Sequence, residues 1–218
     1  MRRRARELAA NYIQRGNPLG WFEALYSEAN TDPGIIPWAD LQPNPNLTHW
    51  LNQSLPEGIG KKALIVGCGL GDDAEELARR GFKTTAFDIS DTAVTWCKRR
   101  FPQTHVSYVV ANLFLAPEAW ESQFDLVIEA YTLQVLPQEQ RTQAIRACCN
   151  TVAPGGILLV ISRGRDDSED PGSMPWPLTR GELRRFEQCG LREVTIEDYS
   201  DGENPPVRRF RAVYQRIT

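Results

Sequence analysis

Histidine is scarce in this sequence: His49 and His105 are the two present among 218 residues. That scarcity weighs against a histidine-built metal site. Cysteine is also sparse. Cys68, Cys97, Cys148, Cys149 and Cys189 are odd in number and scattered, and no C-x-x-C pair occurs. The pattern argues against a disulfide framework and a structural zinc site, and it suits a reducing cytoplasm. No run approaches the roughly 18 uninterrupted apolar residues of a membrane span. Positive charge is not in excess. The 25 Lys and Arg are outweighed by 28 Asp and Glu, for a formal net charge of -3. General nucleic-acid binders are usually basic, so that class ranks low.

What is present suits a folded domain. Hydrophobic residues make up 41% and charged residues 24%, which excludes general disorder. The length fits one domain, or one domain with an extension. The opening Met1-Arg2-Arg3-Arg4-Ala5-Arg6 is followed by Glu7 and by no apolar stretch. It reads as the solvated basic first turn of a helix, rather than a secretory signal, an organellar presequence or an RNA contact.

Two parts follow from the patterning. Residues 1–60 set Trp21, Phe22, Tyr26, Trp38 and Trp50 among Pro18, Pro33, Pro37, Pro43, Pro45 and Pro56. This is an extension of short helices and loops. Residues 61–218 alternate regularly. Strands are expected at 62–67, 83–88, 106–110, 124–129 and 157–162, with helices at 72–80, 91–101 and 138–152 between them. Pro154-Gly155-Gly156 reads as the turn before the fifth strand. Residues 163–177 read as a polar loop. Thr179-Arg180-Gly181-Glu182 has the capping-box pattern that opens a helix. Segments 191–199 and 207–217 are strand-like, and the short link between them can join only antiparallel strands. The fold class is therefore α/β: a Rossmann-like, doubly wound, seven-stranded sheet, mostly parallel with a C-terminal antiparallel strand, in three α/β/α layers.

The sharpest local feature is Val66-Gly67-Cys68-Gly69-Leu70-Gly71-Asp72-Asp73, after a strand and before a helix. Glycines there permit a tight turn and close approach of the backbone to a ligand. Asp88 ends the second strand, at the spacing where a carboxylate binds a ribose diol. Together they indicate a nucleotide-like ligand. A dinucleotide fingerprint would place its third glycine at position 72, where this chain has Asp72 followed by Asp73. A pyrophosphate over that helix start would face two carboxylates. A ligand with an ammonium and a sulfonium would not suffer so. The alternative for both residues is simple capping of the helix.

These residues resemble the class I S-adenosylmethionine-dependent methyltransferases. The matching pieces are VGCGLGDD (66–73), FDIS (87–90), ANLF (111–114), FDLVIEAYTLQVLP (124–137) and VAPGGILLVIS (152–162). They occur in family order over residues 61–162. IPWADLQPNPNL (36–47) and PWPLTRGEL (175–183) are similar to segments of the thiopurine and halide/thiol methyltransferase branch.

The resemblance implies S-adenosylmethionine as cofactor, S-adenosylhomocysteine as product, and no metal. Gly67, Gly69 and Gly71 would form the loop under the methionine and ribose parts, with Cys68 a small residue that fits the turn. Asp73 would face the positive ligand, Asp88 would bind the ribose hydroxyls, and Ile89 would pack on adenine. Asn112 stands where the family often has Asp, and its amide can be turned either way. Leu113 would add backbone and apolar contact. Trp38 would cover the cofactor; the alternative is core packing.

Glu129 and Tyr131 follow the fourth strand at its C-terminal end, where open α/β sheets bind ligands. Glu129 is expected near the methionine amino group or the transferred methyl, against the alternative of a solvated cap. Tyr131 is expected to orient the acceptor or form a wall of its pocket. Arg163 would bind an anionic acceptor there, against the alternative of pairing with Asp166, Asp167, Glu169 and Asp170 on the surface, and Trp176 would form part of the pocket roof. Arg165 is expected to pair with neighbouring carboxylates.

No histidine is well placed as a general base, which favours a soft nucleophile such as a thiol or halide. The resulting expectation is a methyltransferase acting on a small molecule in the cytoplasm, without nucleic-acid or membrane partners, as a monomer or weak homodimer. An NAD-binding oxidoreductase and a non-catalytic S-adenosylmethionine-binding protein are the alternatives.

Overall fold

The computed structural model describes residues 2–54 and 58–217. Pro56, expected to be a turn former, and Met1 lie outside the described residues. The chain packs as two compact units, Met1–Gly60 with Gly67–Asn112, and Lys61–Val66 with Leu113–Thr218. Seven strands form one sheet in the order β3-β2-β1-β4-β5-β7-β6, flanked by helices.

In the first unit, α1 (Arg2–Gln14), α2 (Gly20–Ala29) and α3 (Pro45–Ser54) come from the extension. Arg2, Arg3 and Arg4 are exposed on the first turn of α1, as the sequence suggests. The indoles of Trp21 and Trp50 and the ring of Tyr26 are buried. Next come α4 (Asp72–Arg79), β2 (Lys83–Asp88), α5 (Asp91–Arg100) and β3 (Ser107–Val110). Acidic residues fill the first turn of α4, where the helix dipole favours them. Gly81, at φ +92°, makes the turn out of it. Ser90 caps α5 by accepting from Ala93 N–H at 3.0 Å, and Lys98, Arg99 and Arg100 close its last turn. β2 and β3 pair in parallel.

In the second unit, β1 (Lys62–Val66) is apolar and buried after its first residue, as a strand covered on both faces must be. It pairs with β4 (Phe124–Ala130) in parallel, and β4 with β5 (Val152–Arg163) likewise. α6 (Gln138–Thr151) links β4 to β5. One boundary needs correction. β5 starts at Val152 and runs through Pro154-Gly155-Gly156, where the sequence suggests a turn. The register shifts there: Phe124 pairs with Val152, but Leu126 pairs with Ile157. The extra residues bulge opposite Asp125, a place where a strand tolerates Pro and Gly.

The short helix α7 (Arg180–Leu183) opens with the expected capping box between Thr179 and Glu182. β6 (Leu191–Ser200) and β7 (Arg208–Arg216) form the antiparallel hairpin. β7 is antiparallel to β5 as well, so β7 is the one reversed strand. No described helix is long and apolar enough to cross a membrane.

Candidate active site

The glycine loop between β1 and α4 is built from three left-handed residues: Gly67 at φ +63°, Gly69 at +55° and Gly71 at +91°. L side chains rarely adopt such angles. The turn is closed by Gly71 N–H donating to Cys68 O at 3.0 Å, and it is joined to β2 by Cys68 N–H donating to Phe87 O at 2.8 Å. The Cys97 thiol donates to Gly69 O at 3.2 Å. A hydrogen bond with Cys97, then burial, holds the Cys68 thiol well above its ordinary range. That favours packing over nucleophilic chemistry for Cys68.

Asp88 is buried at the end of β2. Its Oδ2 accepts from Gly69 N–H and its Oδ1 from Ser90 N–H, both at 3.0 Å. Burial pushes its carboxyl up to about 6, against the opposing pull of backbone N–H groups of Ser90, Gly69 and Ile89. A carboxylate has about four lone-pair sites, so the backbone leaves acceptor capacity for ribose hydroxyls. The site thus fits a nucleoside cofactor on two observations: a cradle built from left-handed glycines, and a buried carboxylate with room to accept. Ile89 is half-buried beside it. Ala111 N–H donates to Asp88 O at 3.0 Å, which brings the segment containing half-buried Asn112 alongside.

Asp72 and Asp73 are both engaged within the unit. Asp72 forms a two-pronged pair with Arg100, each bond 2.8 Å, and Arg100 also donates to Leu70 O. Asp73 accepts from Asn44 N–H at 2.6 Å, and burial pushes it up to about 6. The acidic pair therefore holds the loop together, and the charge argument against a pyrophosphate loses most of its force. The reversed β7 still separates this sheet from an all-parallel dinucleotide fold.

Trp38 stands over the loop and is 36% exposed, more than a core tryptophan would be. Its indole Nε1–H donates to Tyr26 OH at 2.8 Å. A Cβ placed on Gly69 would stand 3.3 Å from that hydroxyl and 3.7 Å from the Trp38 ring. Tyr26 escapes sequence reasoning, because nothing distinguishes it from other buried aromatics. Burial, then the charge of Asp88, raises its phenol well above the ordinary value. Glu23 escapes too. Its carboxylate accepts from Ser90 Oγ–H at 2.6 Å, Thr92 Oγ1–H at 2.5 Å and Thr92 N–H at 3.1 Å, tying α2 to the start of α5.

In the second unit, Leu113 is buried. Glu129 is fully buried rather than solvated. Its Oε1 accepts from Thr132 and Leu133 N–H at 2.8 and 2.9 Å, so it caps the 3-10 turn after β4. Its Oε2 has no hydrogen-bond partner among the described residues. Burial pushes it up to about 7, against these two bonds and the charge of Arg141. Tyr131 takes a left-handed φ of +65°, uncommon for a bulky residue. Its N–H donates to Ile161 O at 2.9 Å, and the Arg209 guanidinium lies 5.1 Å from its ring centre.

Gln134, also missed, joins two expected pocket residues: its Oε1 accepts from Arg163 N–H at 2.9 Å and its O from Trp176 N–H at 2.7 Å. Arg165 departs from expectation. It bonds the backbone carbonyls of Pro177, Asp166 and Glu169 rather than the carboxylates beside it, because it closes a turn. His49 and His105 are both exposed. Among the described residues no group of three or more His, Cys, Asp or Glu is arranged to hold a metal.

Comparison with known proteins agrees with this geometry. A family profile described as "Methyltransferase domain" matches residues 63–156. The chain is similar to a ubiquinone biosynthesis O-methyltransferase of Shewanella sp. (strain ANA-3), at 30% identity over 56% of this chain and 52% of that protein. It is also similar to a probable thiol methyltransferase 2 of Arabidopsis thaliana, at 25% identity over 89% of this chain and 83% of that one. The match thus spans about half the length of the first relative and most of the second. Among solved structures, the N-methyltransferase NodS from Bradyrhizobium japonicum WM9, in complex with S-adenosylhomocysteine, shares the fold. Its TM-score is 0.70 at 24% identity, over 89% of this chain and 97% of that one. Motif order, sheet topology and these likenesses all support a class I S-adenosylmethionine-dependent methyltransferase.

Proposed function

We propose that this chain transfers a methyl group from S-adenosylmethionine to a small-molecule acceptor whose attacking atom is a soft nucleophile, a thiol or a halide. The observation that carries the cofactor part is the Gly69 N–H to Asp88 bond, which sets a buried carboxylate against the glycine loop. The acceptor part is supported by likeness to a plant thiol methyltransferase over most of the chain and by both histidines lying exposed. When bound, S-adenosylmethionine supplies a methyl on a cationic sulfur, which leaves as neutral S-adenosylhomocysteine once the acceptor's electron pair takes the methyl.

The chain's own work is to bind, align and exclude water. Gly67, Gly69 and Gly71 admit the cofactor. Asp88 accepts from the ribose, with Ile89, Asn112 and Leu113 around the base. Trp38 and Tyr26 cover the loop, so residues 1–60 act as a lid on a catalytic domain of residues 61–218. Cys68 and Asp73 shape the loop. Glu129 is a positioning residue that holds the turn after β4. Tyr131, Arg163 and Trp176 line the acceptor pocket. A thiolate or halide is anionic before attack and needs no strong base. We further propose a metal-free enzyme, monomeric or weakly dimeric, working in the cytoplasm.

Purified protein is incubated with S-adenosylmethionine and a panel of thiols, iodide, phenols and amines, with and without EDTA, and S-adenosylhomocysteine is quantified. Turnover with thiols or iodide, unchanged by EDTA, supports the reading. Turnover confined to phenols or amines replaces the acceptor class. Metal-restored loss in EDTA overturns the metal-free mechanism.

A further inference from the structure

At the C-terminal end of β5, Arg163 lies in register with Arg209 at the start of β7. The Arg209 side chain is 7% exposed and binds two carboxylates, Asp201 Oδ2 at 2.6 Å and Glu203 Oε1 at 2.5 Å. One edge of this buried cation is thus saturated by the β6–β7 link, while its charge bears on the ring of Tyr131. A buried guanidinium favours anionic partners, so the group best suited to displace one of these carboxylates is another carboxylate.

The two partners differ in kind. Asp201 belongs to the turn itself: its Oδ1 accepts from Glu203 N–H at 3.0 Å and Val207 N–H at 2.9 Å, and its side chain is 14% exposed. Glu203 is 46% exposed, and its carboxylate has Arg209 as its one recorded partner among the described residues. Asp201 is fixed and Glu203 is replaceable. Exchanging one carboxylate for another keeps both the charge balance and the charge-assisted hydrogen bond. Tyr131 reinforces the choice of place. Its left-handed backbone turns an aromatic ring against Arg209, and strain of that kind accumulates at functional sites.

We propose that Arg209 is an oxyanion subsite for the acceptor, in which a carboxylate carried by the acceptor replaces Glu203. The inference rests on the small-molecule methyltransferase reading above and narrows its acceptor to a thiol that also bears a carboxylate.

The test compares 3-mercaptopropionate with 3-mercaptopropan-1-ol, which differ in the anionic group. Wild-type protein is expected to favour the acid by about tenfold in kcat/KM, the effect of one charge-assisted hydrogen bond. Arg209→Lys is expected to erase that preference through KM. Glu203→Gln is expected to lower KM for the acid and leave KM for the alcohol in place. Equal use of both thiols by all three proteins overturns the subsite.

A second measurement does not need turnover. The methylated product, 3-(methylthio)propionate, is titrated calorimetrically into the protein saturated with S-adenosylhomocysteine. Tighter binding to Glu203→Gln than to wild type supports the subsite even if no thiol is methylated, in which case only the thiol reading falls. Identical binding, or none, to both proteins overturns it. Glu203→Gln decides alone if Arg209→Lys does not fold.

Discussion

The main-chain N–H of Gly69 donates to Asp88 Oδ2 across 3.0 Å. A residue with no side chain is thereby held against the carboxylate that ends β2. The same bond that shapes the loop orients the carboxylate, so loop and carboxylate are fixed together. Burial costs that carboxylate part of its acidity, and the cost gives the first prediction.

Affinity for S-adenosylhomocysteine should rise with pH through about 6 and level off above it. Burial holds the Asp88 carboxyl up to about 6 in the free protein. Ribose hydroxyls that donate to it favour the ionised form, so binding expels a proton wherever Asp88 is protonated. At pH 5 the affinity is then about tenfold below its plateau. For stability the sign is opposite. A carboxyl whose folded pKa is raised binds its proton more tightly in the folded state, so that contribution is largest below pH 4 and is lost as pH rises through about 6. Calorimetry in buffers of different ionisation enthalpy measures the proton. Asp73 also lies at about 6, so the same titration on Asp73→Asn separates the two. A pH-independent affinity from pH 5 to 8 would remove Asp88 from the ribose site.

Gly69→Val should leave a folded protein that no longer binds S-adenosylhomocysteine. Its Cβ would meet the Tyr26 hydroxyl and the Trp38 ring at 3.3 and 3.7 Å, contacts that can yield, so the cost is the backbone strain at φ +55°, which lowers stability without preventing folding. Gly71→Ala should instead unfold more readily. Its Cβ would press on the Tyr108 hydroxyl and stand 3.1 Å from Cys97 Sγ, at a φ of +91°. Strain and crowding together should cost about 2 kcal/mol. Circular dichroism melts with ligand titrations distinguish the two. Tight binding by Gly69→Val would sink the loop assignment.

Much of this was legible in the sequence, and the reason is local. KALIV and FDLVIEA announce buried strands by composition, and the glycine loop and Asp88 are fixed by spacing along one β-α-β stretch. The start of β5 was not legible, because Pro154-Gly155-Gly156 has turn chemistry and only the pairing with β4 turns it into a bulge. Glu23, Tyr26, Gln134 and Arg209 were missed for a related reason. Glu23 reaches Ser90 across 67 positions, and no local pattern records such a contact. The partner of Asp72 was not legible either, because Arg100 neutralises it from 28 positions away.

Glu23→Gln should loosen α2 from the start of α5 and, on the proposed function, weaken cofactor binding. Burial opposes ionisation of Glu23, but hydrogen bonds from Ser90, Thr92 and Ser27 outweigh it and hold its carboxyl below the ordinary range. The amide keeps the shape and removes one acceptor, which should cost about 1–2 kcal/mol. Hydrogen exchange of Gly20–Ala29 should quicken and affinity for S-adenosylhomocysteine should fall severalfold. Unchanged exchange in α2 would show that α1 and the aromatic contacts hold the cover unaided.

Arg141→Met should strongly destabilise the second unit. Arg141 is buried on α6 and pairs with equally buried Glu182 at 2.6 Å. It also donates to Leu136 O at 3.1 Å and Trp176 O at 3.4 Å. One guanidinium therefore ties the turn after β4, the loop before α7 and α7 itself. Removing it leaves Glu182 charged and unpaired, a loss of about 3–5 kcal/mol. Arg141→Met with Glu182→Gln should recover part of that stability, because the stranded charge is gone. It should not recover order in the 164–177 loop, because the bond to Trp176 O is still missing. Denaturant melts report the first quantity and hydrogen exchange of residues 164–177 the second. If the double variant restores both, Arg141 acts only through its ion pair. If it restores stability alone, the arginine also aligns the loop that carries Trp176.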